Sequence, residues 1–343
     1  MKFFLIGSFD FKTYNTGGQP VKSRELFWAL SKEYGEKSIS FIETPKWKRH
    51  PLSTFFKTIL YSIRSDVIIM LPAHNGVKVF SKILVAIKKI FKKKIYYDVI
   101  GGWLNDLLLS DRKLSKRLSF FDCVFVETNT MKVGLDKLGI KCCVVPNFKN
   151  LTPVSIESLP KIDTPPFKMC IFSRITEKKG VEDAINAISL INKDKILFSL
   201  DCYGPIEDSF KDHFFDLLKI SPNYINYKGC VSPSESVSVL KNYFALLFPT
   251  KFYTEGIPGT IIDSYFSGLP VISSKWLNFD DVIKEGITGM GYSFDNFNEL
   301  VELLQKISKR PSLITNMRSD CINESHKYRP EFAIKQMKTF FDK

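Results

Sequence analysis

None of the seven cysteines, at 123, 142, 143, 170, 202, 230 and 321, forms a Cys-x-x-Cys pair. An odd count without metal spacing reads as reduced, buried cysteine in a cytosolic protein and argues against a disulfide framework or a zinc site. No window approaches the roughly 20 apolar residues of a spanning helix. The opening MKFFLIGSFD has too short an apolar run for a signal peptide and no small-residue cleavage site. A Gly-x-Gly-x-x-Gly directly after a strand is absent, which argues against a nicotinamide-dependent enzyme. No Asp-x-Asp stands at a strand end, so no divalent-metal site is expected. Low-complexity tracts and internal repeats are absent as well.

What is present is a globular composition, 44% hydrophobic and 25% charged over 343 residues, long enough for two domains with separate cores. The net charge of +13 is unevenly placed. Residues 1–150 hold 26 Lys and Arg against 12 Asp and Glu, whereas 151–343 hold 23 against 24. One half therefore suits an anionic surface and the other does not.

Short β-branched and aromatic runs alternate with helical patterns almost throughout. In the first half the strand candidates are KFFLIG, SISFIE, DVIIML, KIYYDVI, DCVFVE and CCVVP. In the second they are KMCIFS, KILFSLDCY, YINYKG, FALLFP, PVISS and GMGYS. Alternation at this spacing predicts parallel sheets covered by helices on both faces, an α/β fold. The pattern breaks at 145–168, where Pro153, Pro160, Pro165 and Pro166 follow Pro146 without apolar period. The expected domains are 1–150 and 167–328, each doubly wound and Rossmann-like, with a linker over 151–166. A last helix over 329–343 would return to the first domain. Ligands of open α/β sheets bind beyond the carboxyl ends of the strands, so the expected site is a cleft between two facing domains.

Three stretches could carry chemistry. After the first strand, Gly17-Gly18 opens a helix, where free amides would admit an anion; an ordinary strand–helix turn looks the same. In MCIFSRITEKKG, Arg174 directly follows a strand and Lys179 precedes Gly180, two cations able to hold a diphosphate. In FPTKFYTEGIPGTIIDSYFSGLPVI, Glu255 precedes a glycine-proline-glycine turn, and Asp263 lies eight positions on, inside the helix bracketed by Pro258 and Gly268. An acid near a helix start also complements the dipole by ~0.3–1 kcal/mol. Two acids around an anion-binding turn suit a nucleotide sugar.

Together, SRITEKKG, YKGCVSPSES, FPTKFYTEGIPGTIIDSYFSGLPVI and the early TGG…R resemble a retaining glycosyltransferase of the family 4 type, with the GT-B fold. The likeness spans nearly the whole chain and is strongest over 168–294. It implies that Arg174 and Lys179 neutralise the donor diphosphate, with Gly18 against it from the opposite domain. The Glu-x7-Glu signature of the family reads Glu255-x7-Asp263 here, so Glu255 would serve the donor sugar and Asp263, one methylene shorter, the ribose. The base would lie near Gly229 to Val231. The turn Gly256-Ile257-Pro258-Gly259-Thr260 departs from the usual E-G-F-G; Pro258 lacks an amide proton, which leaves Gly259 and Thr260 as phosphate contacts. The acceptor-side His of many relatives is missing at Gly101-Gly102-Trp103. His74 in LPAHNG is the nearby alternative, either catalytic or a polar loop residue, with Asn105 and Asp106 as candidates for acceptor hydroxyls. The implied reaction is that of a hexosyltransferase without cofactor or metal, as in bacterial surface-polysaccharide biosynthesis. A GT-B epimerase or phosphorylase is the nearest alternative, and a basic nucleic-acid-binding protein the alternative outside enzymes, although no nucleic-acid motif is recognisable.

The segments 46–64 and 77–97 are basic and apolar together. The second reads as an amphipathic helix with lysines clustered at 92–94, suited to an anionic membrane; a solvated helix face explains it equally well. The expected acceptor is a glycan or a polyprenyl-diphosphate-linked glycan, and the expected location is cytoplasmic, peripheral at the inner face of the cell membrane.

Overall fold

A computed structural model describes residues 1–13 and 17–342, except for the side chains of Lys46 and Lys48. Thr16 of the TGG run lies outside the described residues. The chain forms two compact units, one of Met1–Asn150 with the segment from Lys327 onward, the other of Leu151–His326.

The first unit holds β1 (Phe3–Gly7), β2 (Ile39–Glu43), β3 (Val67–Met70), β4 (Lys94–Asp98), β5 (Cys123–Val126) and β6 (Cys142–Val144). The second holds β7 (Phe167–Phe172), β8 (Phe198–Tyr203), β9 (Ile225–Gly229), β10 (Ala245–Phe248), β11 (Val271–Ser274) and β12 (Gly289–Tyr292). Pairing is parallel in both sheets, with orders β2-β1-β3-β4-β5-β6 and β9-β8-β7-β10-β11-β12. In the second sheet the chain winds outward from β7 to β9, then restarts at β10 on the other side of β7. That reversal is a topological switch point, where the loops after two adjacent strands diverge and leave room for a ligand.

Continuous apolar runs form β1, β3, β5 and β10 because helices cover both faces. In β1, Phe4 and Ile6 enter one core cluster while Phe3 and Leu5 enter another. The helix Pro330–Phe341 joins the latter cluster through Ala333, Ile334, Met337 and Phe341, each contributing on the order of 1–3 kcal/mol by burial. Tyr96 Oη donates to Phe340 O at 2.7 Å and Lys94 Nζ to Phe341 O at 2.7 Å, which fix the helix end on the first sheet.

The proline-rich stretch is not a free tether. Val154 N donates to Phe266 O at 2.9 Å, and the Arg318 guanidinium reaches Pro160 O, so the stretch lies along the second unit. Two expectations need correction. Cys123, Cys170, Cys202 and Cys321 are buried, but Cys142 and Cys143 are only half-buried and Cys230 is exposed. The helix expected over 77–97 is His74–Phe91, ended by Lys92 in the left-handed region (φ 51°), and Lys94 already belongs to β4. Its apolar face, with Val77, Phe80, Leu84 and Ile87, is buried in the core and presents no such face to a membrane. Among the described residues no helix is long and apolar enough to cross a membrane.

Candidate active site

The second unit places Arg174, Lys179 and Glu255 on the loops after β7 and β10, at its switch point. Arg174 lies just beyond β7, exposed and without an ion-pair partner among the described residues. Lys179 ends the turn that leads into the helix Val181–Ile191 and forms an ion pair with Glu255, 76 residues away, on the loop after β10. Both side chains keep partial solvent access, 22% for Lys179 and 13% for Glu255. The Lys179 ammonium also lies 5.2 Å from the centre of the Phe248 ring.

Backbone contacts hold the two loops together. Lys251 N donates to Lys178 O at 2.8 Å. Gly180, at φ 66°, approaches so closely that a Cβ would sit 1.9 Å from Pro249 O, so only glycine fits on both counts. Asn278 Nδ2 donates to Glu255 O at 2.5 Å, and Thr250 Oγ1 lies 3.5 Å from Glu255 Oε1. The Glu255 carboxylate is thus oriented by a neighbouring cation and hydroxyl.

Past Glu255, Gly256 and Ile257 are buried and Pro258 caps the helix Gly259–Phe266. Pro258 stands outside the helix, and no helical amide is lost to it. The Thr260 hydroxyl is buried without a hydrogen-bond partner, next to the free amides of the first turn. Asp263 is 4% exposed, and its Oδ1 accepts from Ser236 Oγ at 3.2 Å. Asp263 therefore lies against the segment that follows Gly229, Cys230 and Val231. Gly229 (φ 78°) closes β9, and Gly204 N donates to its carbonyl at 2.9 Å. Tyr227 Oη donates to Gly204 O at 2.9 Å, which ties the loops after β8 and β9 into one platform.

In the first unit the acceptor-side candidates converge only in part. His74 begins its helix at φ 37° and stacks on Trp103, ring centres 4.1 Å apart and 21° from parallel. Trp103 Nε1 donates to Ile100 O at 2.7 Å, and Gly102 beside it is buried. A helix the sequence did not announce, Leu104–Ser110, carries Asn105 and Asp106. Asn105 is wedged against Gly134, where a Cβ would lie 2.0 Å from Nδ2, and its Oδ1 is buried without a partner. Asp106 is exposed on the first helical turn. Gly18, also exposed, starts the helix Gly18–Tyr34, and its Cβ position is open.

Sequence reasoning missed one charged group. Lys22, 1% exposed, donates to Val99 O (2.6 Å) and Glu127 Oε1 (3.1 Å) and lies 3.0 Å from Asp98 Oδ1. Burial pushes the Asp98 carboxyl up to about 6, against the pull of Lys22. Burial opposes the Lys22 charge, but the two acids outweigh it and its pKa is raised. The readable signal was an acid ending each of two buried strands, YYDVI and VFVE.

The family model for glycosyl transferases group 1 matches residues 156–328, half of the chain. A curated relative, an uncharacterized 41.2 kDa protein in the cps region of Klebsiella pneumoniae, is 23% identical over 274 residues, 74% of this chain and 73% of that one. Among solved structures, sucrose-phosphate synthase from Thermosynechococcus elongatus superposes with a TM-score of 0.78 at 14% identity, over 100% of this chain and 98% of that one. HepE of Anabaena in complex with UDP gives 0.77 at 13% identity, over 100% of both chains. These likenesses show the fold, that of the GT-B glycosyltransferases.

Proposed function

The chain belongs to the glycosyl transferases group 1 family, and we propose that within it the protein is a retaining hexosyltransferase that uses a nucleoside-diphosphate sugar. The observation that carries this reading is the Lys179–Glu255 pair at the switch point, with Arg174 and the first turn of Gly259–Phe266 beside it. A cation and a carboxylate in contact, both still reachable by solvent, fit a ligand that is anionic at one end and hydroxylated at the other.

In the proposed reaction the acceptor hydroxyl attacks the anomeric carbon from the face that the diphosphate leaves. The new glycosidic C–O bond forms as the bond from carbon to phosphate oxygen breaks, and the leaving diphosphate takes the hydroxyl proton. Arg174, Lys179 and the amides of Gly259 and Thr260 would stabilise the charge that develops, the main catalytic term. No metal or cofactor is assigned to the step. Glu255 would hold the sugar hydroxyls and Asp263 the ribose diol, with the base along Gly229 to Val231. UDP in the HepE structure supports a uridine nucleotide as the first donor to try.

On the acceptor side, the stacked His74–Trp103 rings, Gly102, Asn105 and Asp106 would contact a glycan or polyprenyl-diphosphate-linked glycan. The cps-region relative supports a place in polysaccharide assembly. The excess positive charge of residues 1–150 supports peripheral work at an anionic membrane, on its cytoplasmic face. Screening nucleotide sugars by thermal shift tests the donor reading, since a ligand at 100 times its Kd stabilises by ~2.7 kcal/mol. No shift with any nucleotide sugar or nucleoside diphosphate would overturn it.

A further inference from the structure

The helix Pro51–Arg64 is turned inside out. Leu52, Phe55, Phe56, Ile59, Leu60 and Ile63 recur at i, i+3, i+4, i+7, i+8 and i+11, the stripe that a surface helix normally turns inward. Here the fully buried positions are Thr58 and Ser62 instead. Leu52 is 73% exposed and Phe56 66%, and Phe55, Leu60 and Ile63 are exposed too; Ile59 alone is half-buried. Lys93 Nζ donates to Ile63 O (2.7 Å) and Ser65 O (2.8 Å), which brings the end of the helix His74–Phe91, with exposed Ile90 and Phe91, beside this stripe.

Charge identifies the occupant. Residues 46–94 hold twelve Lys and Arg and one acid, Asp66, whose carboxylate accepts from Lys2 N at 2.7 Å. Lys57, Arg64 and Lys92 are exposed, and on helical spacing the first two flank the apolar stripe along one side. A second copy docked on the same patch would set cation against cation across the two-fold axis. A bilayer with anionic lipid matches both features, taking Phe and Leu below its headgroups and Lys and Arg at its phosphates.

We propose that the helix Pro51–Arg64 is the membrane-docking element, lying in the plane of an anionic bilayer with Phe55 and Phe56 inserted. This rests on the membrane reading above but moves the contact from the 77–97 helix to its neighbour. It also changes which cations matter. Lys93 is tied to the end of Pro51–Arg64 and Lys94 to Phe341 O, whereas Lys57, Arg64 and Lys92 are exposed beside the stripe and able to meet lipid phosphates.

The test is co-sedimentation of the full chain with phosphatidylcholine vesicles, with and without phosphatidylglycerol, at low and high salt. Wild type binds the anionic vesicles at low salt, and binding weakens as salt screens the lysines. Phe55→Ser with Phe56→Ser lowers the partition coefficient about tenfold or more, and Lys57→Gln or Lys92→Gln each lowers it about fivefold. Leu52→Glu is a second variant that places an acid in the stripe, and unchanged melting temperatures verify that the variants fold. Wild type left in the supernatant at low salt overturns the proposal, as does equal binding by the Phe pair variant. Concentration-dependent dimers that the Phe changes abolish would give the face to a second copy and overturn it too. Transfer to a short water-soluble acceptor is measured alongside and stays at the wild-type rate in every variant. Vesicle binding without any donor turnover would sink the glycosyltransferase reading and leave this one standing.

Discussion

Each unit places a lysine just after its first strand: Lys22 in the helix Gly18–Tyr34 after β1, and Lys179 on the turn before the helix Val181–Ile191 after β7. Lys22 is sealed, with Asp98, Glu127 and a carbonyl around it. Lys179 has one carboxylate partner and an open side. A buried charge with all its donors engaged has no capacity for a ligand, and removing it would leave the buried Asp98 carboxylate without its cation. A pair that keeps some solvent access can exchange partners more readily than a sealed one, because water and incoming anions compete for the same ammonium. The same topological position thus holds a sealed ion cluster in one unit and, in the proposed reading, a substrate contact in the other.

The largest expected break in this comparison is in rate. Arg174→Ala and Lys179→Ala should each lower turnover by ~10²–10³, the usual effect of losing one donor to a developing anion, with melting temperature little changed. Initial rates with a nucleotide sugar decide it; wild-type turnover in either variant would remove these residues from the site.

Lys22→Met should behave in the opposite way. Stranding the buried Asp98 should cost ~3–5 kcal/mol of stability, read as a lower urea midpoint, while the rate per folded molecule is retained. A variant as stable as wild type would show that the cluster is not the ion network described.

Gly180→Ala tests whether the two switch-point loops must touch. The left-handed backbone alone costs ~1–2 kcal/mol, and the collision with Pro249 O adds to it, so both stability and rate should fall. A neutral result would mean that the loops part freely.

The smallest effect separates the two acids. Asp263→Asn should weaken binding of the free nucleoside diphosphate about tenfold, or ~1.4 kcal/mol, whereas Glu255→Gln should leave that affinity unchanged and reduce transfer. Isothermal titration with UDP measures both, and equal losses would refute the division of roles.

Much of the proposed donor side was legible as a cluster because its parts are local. SRITEKKG and TEGIPG each put charge and glycine at the end of an apolar run, and a strand end is where a doubly wound sheet receives ligands. The acceptor side was legible only as residue types. His74 and Trp103 were both candidates, yet their stacking needs β3 and β4 to be neighbours, and the helix Leu104–Ser110 left no clear sequence signal. Lys22 passed unnoticed because its partners lie 76 and 105 residues away.

By itself the sequence determined the twelve strands, their alternation with helices and the charged, glycine-bearing motifs at the ends of β7 and β10. Periodicity and glycine placement are properties of adjacent residues, readable without a fold. Only the tertiary structure decided which side of each helix meets the core. For His74–Phe91 the core took the apolar face, as its pattern implies; for Pro51–Arg64 it took Thr58 and Ser62 and left the phenylalanines outside. The amphipathic periodicity is the same in both, and a helix's direction of burial is set by neighbours distant in the chain.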